Sequence, residues 1–289
     1  MSTTIPTYDL TTFTEPDGQP AEVFFLGSQA TAPTLPIAQP YRSNYYKIGL
    51  FVRGHATLKV NLESYDLGPG SLMLLSPHVI KQWPFMSAGH ESLSIFFTGE
   101  FITAHSGLQL SKFPFFAHDA QPVLPLSEAQ AETIGQLLRD IERKYETPHA
   151  YRAEILRSLI HILLHEVAPI YSQHHVKART LLTRSQLIAS DFKQLVNRHF
   201  ATQRGLAFYA NQLCITPKHL AATVKEATGR RAAEWIAEAV VLEAKVRLQQ
   251  PAATVGQIAD ELSFSDQSAF GRFFRSHAGQ SPAAYRQAR

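Results

Sequence analysis

The sequence predicts an α+β chain: a β-rich N-terminal region with a helix pair, then an all-α C-terminal region made of two helix-turn-helix units. Three observations carry this. Short apolar runs separated by Gly and Pro fill residues 22–125. From Ser127 onward apolar residues recur at helical spacing instead. Residues 206–286 then hold one helical pattern twice, at an offset of 49 to 50 residues.

Taken in order, residues 1–20 are polar and Thr-rich, with Pro6, Pro16 and Pro20, and a loose arm is expected there. Val23-Phe24-Phe25-Leu26 is a short apolar run, and Ala30 to Pro40, with three prolines, reads as loop. Tyr45 to Arg53 is an expected strand, turning at Gly54-His55. Ala56 to Leu62 alternates at period two, the pattern of a half-buried strand. Leu67-Gly68-Pro69-Gly70 is a turn, Ser71 to Leu75 a strand, and Ser92 to Thr98 another. Strands this short, at this spacing, predict a small barrel or jelly roll.

Residues 127–145 and 149–167 read as two helices. Ser127 with Gln130 makes a capping box. Ile134, Leu137, Leu138, Ile141 and Tyr145 form one stripe; Tyr151, Ile155, Leu156, Leu159, Ile160, Leu163 and Leu164 form a wider one. Covering the barrel is their simplest role. Pro169 is expected to end the pair, with residues 170–184 as a linker.

In the C-terminal region Val255, Ile258, Ala259 and Leu262 follow the i, i+3, i+4, i+7 stripe of a helix. Ser265-Asp266 offer N-caps for a second helix from Gln267 that stops near Gly279. Two short helices around a turn of three to four residues make a helix-turn-helix. Upstream, Tyr209 to Leu213 matches Ile258 to Leu262, and Thr216-Pro217 matches Ser265-Asp266. Leu220, Ala222, Val224 and Gly229 then match Phe270, Arg272, Phe274 and Gly279. Arg231 to Gln250 reads as one connecting helix, with Trp235, Ile236, Ala239, Val240, Leu242 and Val246 as its stripe and Pro251 as its stop. A rod of that length, roughly 27 Å, would set two recognition helices about one DNA turn apart.

These residues carry a resemblance. Phe264-Ser265-Asp266-Gln267-Ser268-Ala269-Phe270-Gly271-Arg272-Phe273-Phe274-Arg275, followed by Gly279-Gln280-Ser281-Pro282-Ala283-Ala284-Tyr285-Arg286, is similar to the DNA-binding domain of AraC/XylS-family transcription regulators, and the match covers residues 185–288. Leu67 to Pro77, with Trp83, resembles the cupin-like sensor domain that precedes it in that family. The chain departs from the family at Tyr41-Arg42-Ser43-Asn44 and at Lys81, where histidines are common. The resemblance implies residues 1–169 as a cupin-like sensor and dimerisation domain, 170–184 as linker and 185–289 as the DNA-binding domain.

Composition agrees. Residues 178–289 hold 15 Lys and Arg against 8 Asp and Glu, whereas residues 1–177 hold 12 against 16. The basic excess thus lies on the repeated helical region, as phosphate contact requires. Met1 to Pro6 has neither the basic nor the apolar run of a signal peptide, and no apolar stretch reaches membrane-spanning length, so a cytoplasmic protein is expected. The single Cys214 cannot form an internal disulfide and is expected to be a buried structural thiol. His55 and His78 lack closely spaced partners, and the adjacent His174-His175 would point apart on a helix, so no metal or other cofactor is expected. That argues against the competing reading, a cupin-type metalloenzyme with a helical appendage.

By the resemblance, Gln267, Ser268 and Arg272 occupy groove-reading positions, where Gln suits adenine and Arg suits guanine, while Ser265 and Arg275 hold phosphates. Ala269 would touch a thymine methyl. The first unit offers Lys218, His219, Ala221 and Ala222, and its two alanines shift hydrogen-bonded specificity to the second unit. Tyr46, Arg53, His78, Lys81 and Trp83 are candidates for the mouth of an effector pocket, the cations suggesting an acidic or phenolic ligand. Expected partners are promoter DNA, RNA polymerase, a small-molecule effector and a second copy of the chain, with the protein acting as an activator.

Overall fold

The computed structural model describes residues 5–14, 18, 21–27, 36–77, 79–104, 108–117, 120–249 and 253–287, the side chains of 177–179 and 181 excepted. Residues 1–4, 15–17, 19 and 20 of the expected arm and 30–35 of the expected loop therefore lie outside the described residues. Within the arm, Leu10–Thr12 forms a 3-10 turn capped by the Asp9 carboxylate. The chain divides into one unit over Thr7–Val176 and another containing Lys177–Arg289.

The first unit carries strands β1 Thr7–Tyr8, β2 Val23–Leu26, β3 Arg42–Ser43, β4 Tyr45–Arg53, β5 Ala56–Val60, β6 Glu63–Leu67, β7 Ser71–Leu75, β8 Lys81–Met86, β9 Glu91–Thr98 and β10 Val123–Pro125. They form an antiparallel five-stranded sheet ordered β10-β7-β4-β9-β2, an antiparallel three-stranded sheet ordered β6-β5-β8, and a short parallel β1–β3 pair. The sequence reading places β2, β4, β5, β7 and β9. It misses β6, whose polar Glu63, Ser64 and Asp66 show no buried alternation, and β8, which contains Pro84.

Alternation along β4 separates two cores. Ile48 and Leu50 face the helices with Leu72, Leu74, Ile95 and Phe97, and Tyr46 packs against this cluster. On the other face Phe51 joins Met73, Leu75, Leu58, Val60 and Trp83 between the sheets. Lys47 and Gly49 share that inner face by register, opposite Phe96 and Ser94.

The helices that cover the first core are α1 Gly99–Thr103, α2 Glu128–Glu146 and α3 Arg152–Leu181. The α2 cap is the expected reciprocal pair: Gln130 N–H donates to Ser127 Oγ at 3.3 Å and Ser127 N–H to Gln130 Oε1 at 3.0 Å. The expectation that Pro169 ends the second helix is corrected: α3 continues through Pro169 to Leu181. One proline removes one intrahelical donor. Here Val167 and Tyr171, buried on either side of it, anchor both flanking turns to the core. The segment read as linker is accordingly helical as far as Leu181, and Thr183 caps the next helix.

The second unit is all helical: α4 Arg184–His199, α5 Leu206–Gln212, α6 Pro217–Thr228, α7 Ala232–Arg247, α8 Val255–Glu261, α9 Gln267–Ala278 and α10 Pro282–Gln287. Two helix-turn-helix pairs, α5–α6 and α8–α9, flank α7, as expected. Ile258, Ala259, Leu262, Phe270, Phe274 and Tyr285 form one core with Val241, Ala244 and Leu248 of α7. Phe192 of α4 meets Tyr209 of α5 edge-on at 5.5 Å in the other. Cys214, expected buried, is exposed. It sits in the turn at φ 54°, between the half-buried Leu213 and Ile215.

Candidate nucleic-acid interface

The two turns repeat each other bond for bond. Leu213 N–H reaches Tyr209 O at 3.1 Å and Leu262 N–H reaches Ile258 O at 3.0 Å. Ile215 N–H reaches Ala210 O at 3.0 Å and Phe264 N–H reaches Ala259 O at 2.9 Å. Cys214 and Ser263 both take the left-handed conformation, φ 54° and 55°. Gly229 and Gly279 end α6 and α9 in that same conformation, φ 72° and 78°, where a Cβ would be strained.

The structure corrects the alignment of the caps. Thr216 Oγ1 accepts from His219 N–H, and the equivalent cap of α9 is Asp266, whose carboxylate accepts from Ala269 N–H at 2.7 Å. Thr216 thus matches Asp266, not Ser265, and Ser265 is the extra residue that moves the offset to 50. Its hydroxyl donates to Asp266 at 3.1 Å. The Ala269 amide, then Ser265, holds the Asp266 carboxyl below its usual range.

Each second helix buries one face and presents the other. In α9, Phe270 and Phe274 are buried while Gln267, Ser268, Arg272 and Arg275 are exposed; Ala269 is half-buried. In α6, Leu220 and Val224 are buried while Lys218, His219 and Ala222 are exposed and Ala221 is half-buried. Among the described residues neither Arg272 nor Arg275 forms an ion pair, so both guanidinium groups face water. Sequence reasoning passed over Lys225, exposed on α6 and matching Arg275 at offset 50. That offset, carried one turn further along, was the signal that could have found it.

The connecting rod is held at both ends. The Trp235 indole of α7 donates to Thr228 Oγ1 at 3.3 Å, with Arg230 and Lys193 over its ring at 4.5 and 4.6 Å. Arg247 pairs with Glu243 at 2.8 Å and also with Glu261 of α8. Arg204, in the loop before α5, crosses to the second turn. Its guanidinium donates to Leu262 O and, at 3.1 Å, to Ser263 O, and lies 3.5 Å over the Phe264 ring. The 16 residues of α7 span about 24 Å.

The effector candidates do not converge on one place. Lys81 and Trp83 are buried between the sheets. Tyr46 points the opposite way, stacked on Phe97 at 5.5 Å and edge-on to Phe116 at 4.7 Å. Arg53 is exposed at the end of β4 and pairs with Glu91 at 2.6 Å. His78 lies outside the described residues. Sequence reasoning missed Lys47, whose ammonium sits 5.0 Å from the Trp83 ring centre and 5.2 Å from that of Phe96. A lysine at an inward position of an otherwise apolar strand was the available signal.

A family profile described as "Helix-turn-helix domain" matches residues 209–288. The chain is 24% identical over 266 residues to the arabinose operon regulatory protein of Salmonella typhimurium, covering 86% of each. It is 20% identical over 255 residues to the Msm operon regulatory protein of Streptococcus mutans, covering 85% of each. Among solved structures, ToxT from Vibrio cholerae aligns over 92% of this chain and 96% of its own, at 16% identity and a TM-score of 0.34.

Proposed function

From the premise that the chain belongs to the AraC family of DNA-binding transcription regulators, a family without enzymes, we propose that one subunit reads adjacent major grooves with α6 and α9. The observation that carries this is the repeat itself: two exposed helix faces, built by matching turns and caps, on either side of one rod. Gln267, Ser268 and Arg272 meet base edges, and Arg275 and Lys225 hold phosphates at equivalent points on the two helices. Ser265 acts through Asp266, steadying the cap, as well as from the backbone side. Lys218 and His219 contact the first groove, where Ala222 reads shape or a methyl group. Hydrogen-bonded specificity therefore rests mainly on α9.

In this reading residues 1–169 are the sensor and dimerisation domain, with a cupin-like barrel formed by the facing sheets, and residues 185–289 bind promoter DNA. Tyr151, Ile162 and Val176, exposed large side chains of and beside α3, support a homodimer. Activation through RNA polymerase in the cytoplasm and control by a small molecule complete the proposal. Among the described residues no helix is long and apolar enough to cross a membrane.

Selection of bound sequences from random duplex DNA tests it. Two recognition blocks centred about 10 base pairs apart are expected, the one facing α9 being the more sharply defined. A single block, or binding without sequence preference and with only a steep salt dependence, overturns the reading.

A further inference from the structure

The α5–α6 and α8–α9 pairs are joined by two links, and the second is a single side chain. The first link is α7. Its Val241, Ala244 and Leu248 enter the core of the α8–α9 pair, and its Arg247 pairs with Glu261 of α8. The second link leaves the loop before α5. Ala201 packs against that same core. Three residues later Arg204 reaches the turn ahead of α9, donating to Leu262 O and Ser263 O and covering the Phe264 ring. Both of its ends are anchored. Gln203 N–H donates to His199 O at 2.8 Å, and Gln203 O accepts from the hydroxyl of the buried Tyr209 at 2.6 Å, so the backbone beside Arg204 is fixed to the α5–α6 pair. At the far end Phe264 packs on Phe270 and Phe273 of α9, each ring centre 5.2 Å away. Whatever holds this turn holds α9.

The chemistry of the contact is directional. The planar guanidinium meets two successive carbonyls with its edge and an aromatic ring with its face, which sets orientation as well as distance. The repeat supplies an internal comparison. Arg204 precedes Gly205, the cap of α5, and 49 positions on Ala253 precedes Thr254, the cap of α8. Ala253 has no side chain that could return the contact. Among the described residues no side chain donates to Leu213 O or Cys214 O, the carbonyls that match Leu262 O and Ser263 O. A helix-turn-helix of this chain therefore folds without such a strap. The one present runs from the first pair to the second.

We propose that Arg204 is a positioning residue for DNA recognition, coupling α9 to the α5–α6 pair so that both readers meet the duplex as one body at one spacing. This rests on the groove-reading assignment of α6 and α9 above and deepens it. With the strap in place, docking of one reader leaves the other already aimed, so its contact is intramolecular and pre-organised. Without it α9 samples a range of positions about the end of α7. Affinity for the best-spaced site then falls, and tolerance of other spacings rises. One base pair moves a recognition block by about 3.4 Å and turns it by about 35°, so spacing reports the coupling sharply.

Paired spin labels on Glu226→Cys and Ser276→Cys, exposed on α6 and α9, read the coupling in the full chain without DNA. The background is Cys214→Ser, since Ser263 already holds the matching place in the second turn. The parent is expected to give one narrow distance distribution and Arg204→Ala one at least about twice as wide, with Arg204→Lys between them. Gel-shift titration then compares a site selected by the parent with versions whose two blocks stand one base pair closer or farther apart. The parent should lose about tenfold or more on either shift. Arg204→Ala should lose about tenfold on the selected site, no more than about threefold further on shifting, and keep the base preferences within each block. A role confined to stability would cut binding at every spacing alike and keep the penalty. If Arg204→Ala fails to fold, as circular dichroism would show, Arg204→Met, which keeps the stem, carries the test. An unchanged distance distribution, a parent indifferent to spacing, or an unchanged spacing penalty in the variant would overturn the proposal. Failure of the parent to select any two-block site sinks the groove-reading assignment instead, and the label distances still decide whether Arg204 couples the two pairs.

Discussion

Replacing Arg204 by Ala should loosen the second turn, and the structure sets how far. Arg204 makes two charge-assisted hydrogen bonds, to Leu262 O and Ser263 O, and stacks on Phe264. Such bonds contribute about 1.5–3 kcal/mol each when well shielded, and about 1 kcal/mol each is a fair value for a half-exposed group. The stacking adds about 0.5–1 kcal/mol. The two carbonyls belong to the peptides on either side of Ser263, a non-glycine residue held at φ 55°, which itself costs about 1–2 kcal/mol. Losing Arg204 should therefore lower the opening free energy of this turn by about 2–3 kcal/mol. Hydrogen exchange of the Leu262, Ser263 and Phe264 amides, bonded to Ile258, Asp260 and Ala259, reads that directly. Exchange is expected to quicken by roughly 30- to 150-fold, since each 1.4 kcal/mol is about tenfold. Arg204→Lys keeps the charge but not the fork or the planar stacking, and should recover less than about half the protection. Unchanged exchange in Arg204→Ala, or full protection in Arg204→Lys, would refute the reasoning.

Arg272→Ala should cost about 1–3 kcal/mol in DNA affinity and relax one base preference, measured by competition among site variants; a uniform loss across sequences would make Arg272 a phosphate contact. Lys225→Ala should instead weaken all sites alike and reduce the salt slope of binding by about one. Phe274→Ala, at a fully buried position, should destabilise by about 3–5 kcal/mol in denaturant unfolding, and a loss below about 1 kcal/mol would contradict the core described here. For Lys81 the folded pKa lies below the unfolded one, so the unfolded chain holds the extra proton between about 7 and 10.5, and stability rises with pH across that window. Lys81→Met lacks this dependence. Its stability advantage over the parent should be largest at or below about pH 7 and shrink towards pH 9.5 in paired thermal melts, even with Lys47, Arg42, Ser43 and Tyr45 unchanged around it. A gap independent of pH would mean Lys81 is charged in both states.

The C-terminal half was legible because its determinants are local. Ala259, Leu262, Phe270 and Gly279 each sit at a position that one helix-turn-helix specifies, and the second copy around Ala210 and Gly229 removes the ambiguity of a single match. The cap register was not legible. Ser265 and Asp266 are both good caps, and only the hydrogen bond from the Ala269 amide to Asp266 chooses between them. Pro169 misled for a related reason: a proline's local cost is readable, whereas the burial of Val167 and Tyr171 that outweighs it depends on residues far along the chain. The effector candidates divided on the same line. Tyr46 and Lys47 are neighbours in sequence, and strand alternation sends them to opposite faces, but which face meets the helices and which meets the second sheet is set by long-range pairing. By itself, then, the sequence determined the helices, the strands with clean alternation and the repeated reading head, since these follow from residues a few positions apart. Tertiary structure alone decided that Lys47 and Lys81, 34 positions apart, share one buried space, because only the packing of two sheets brings charges so distant in sequence together.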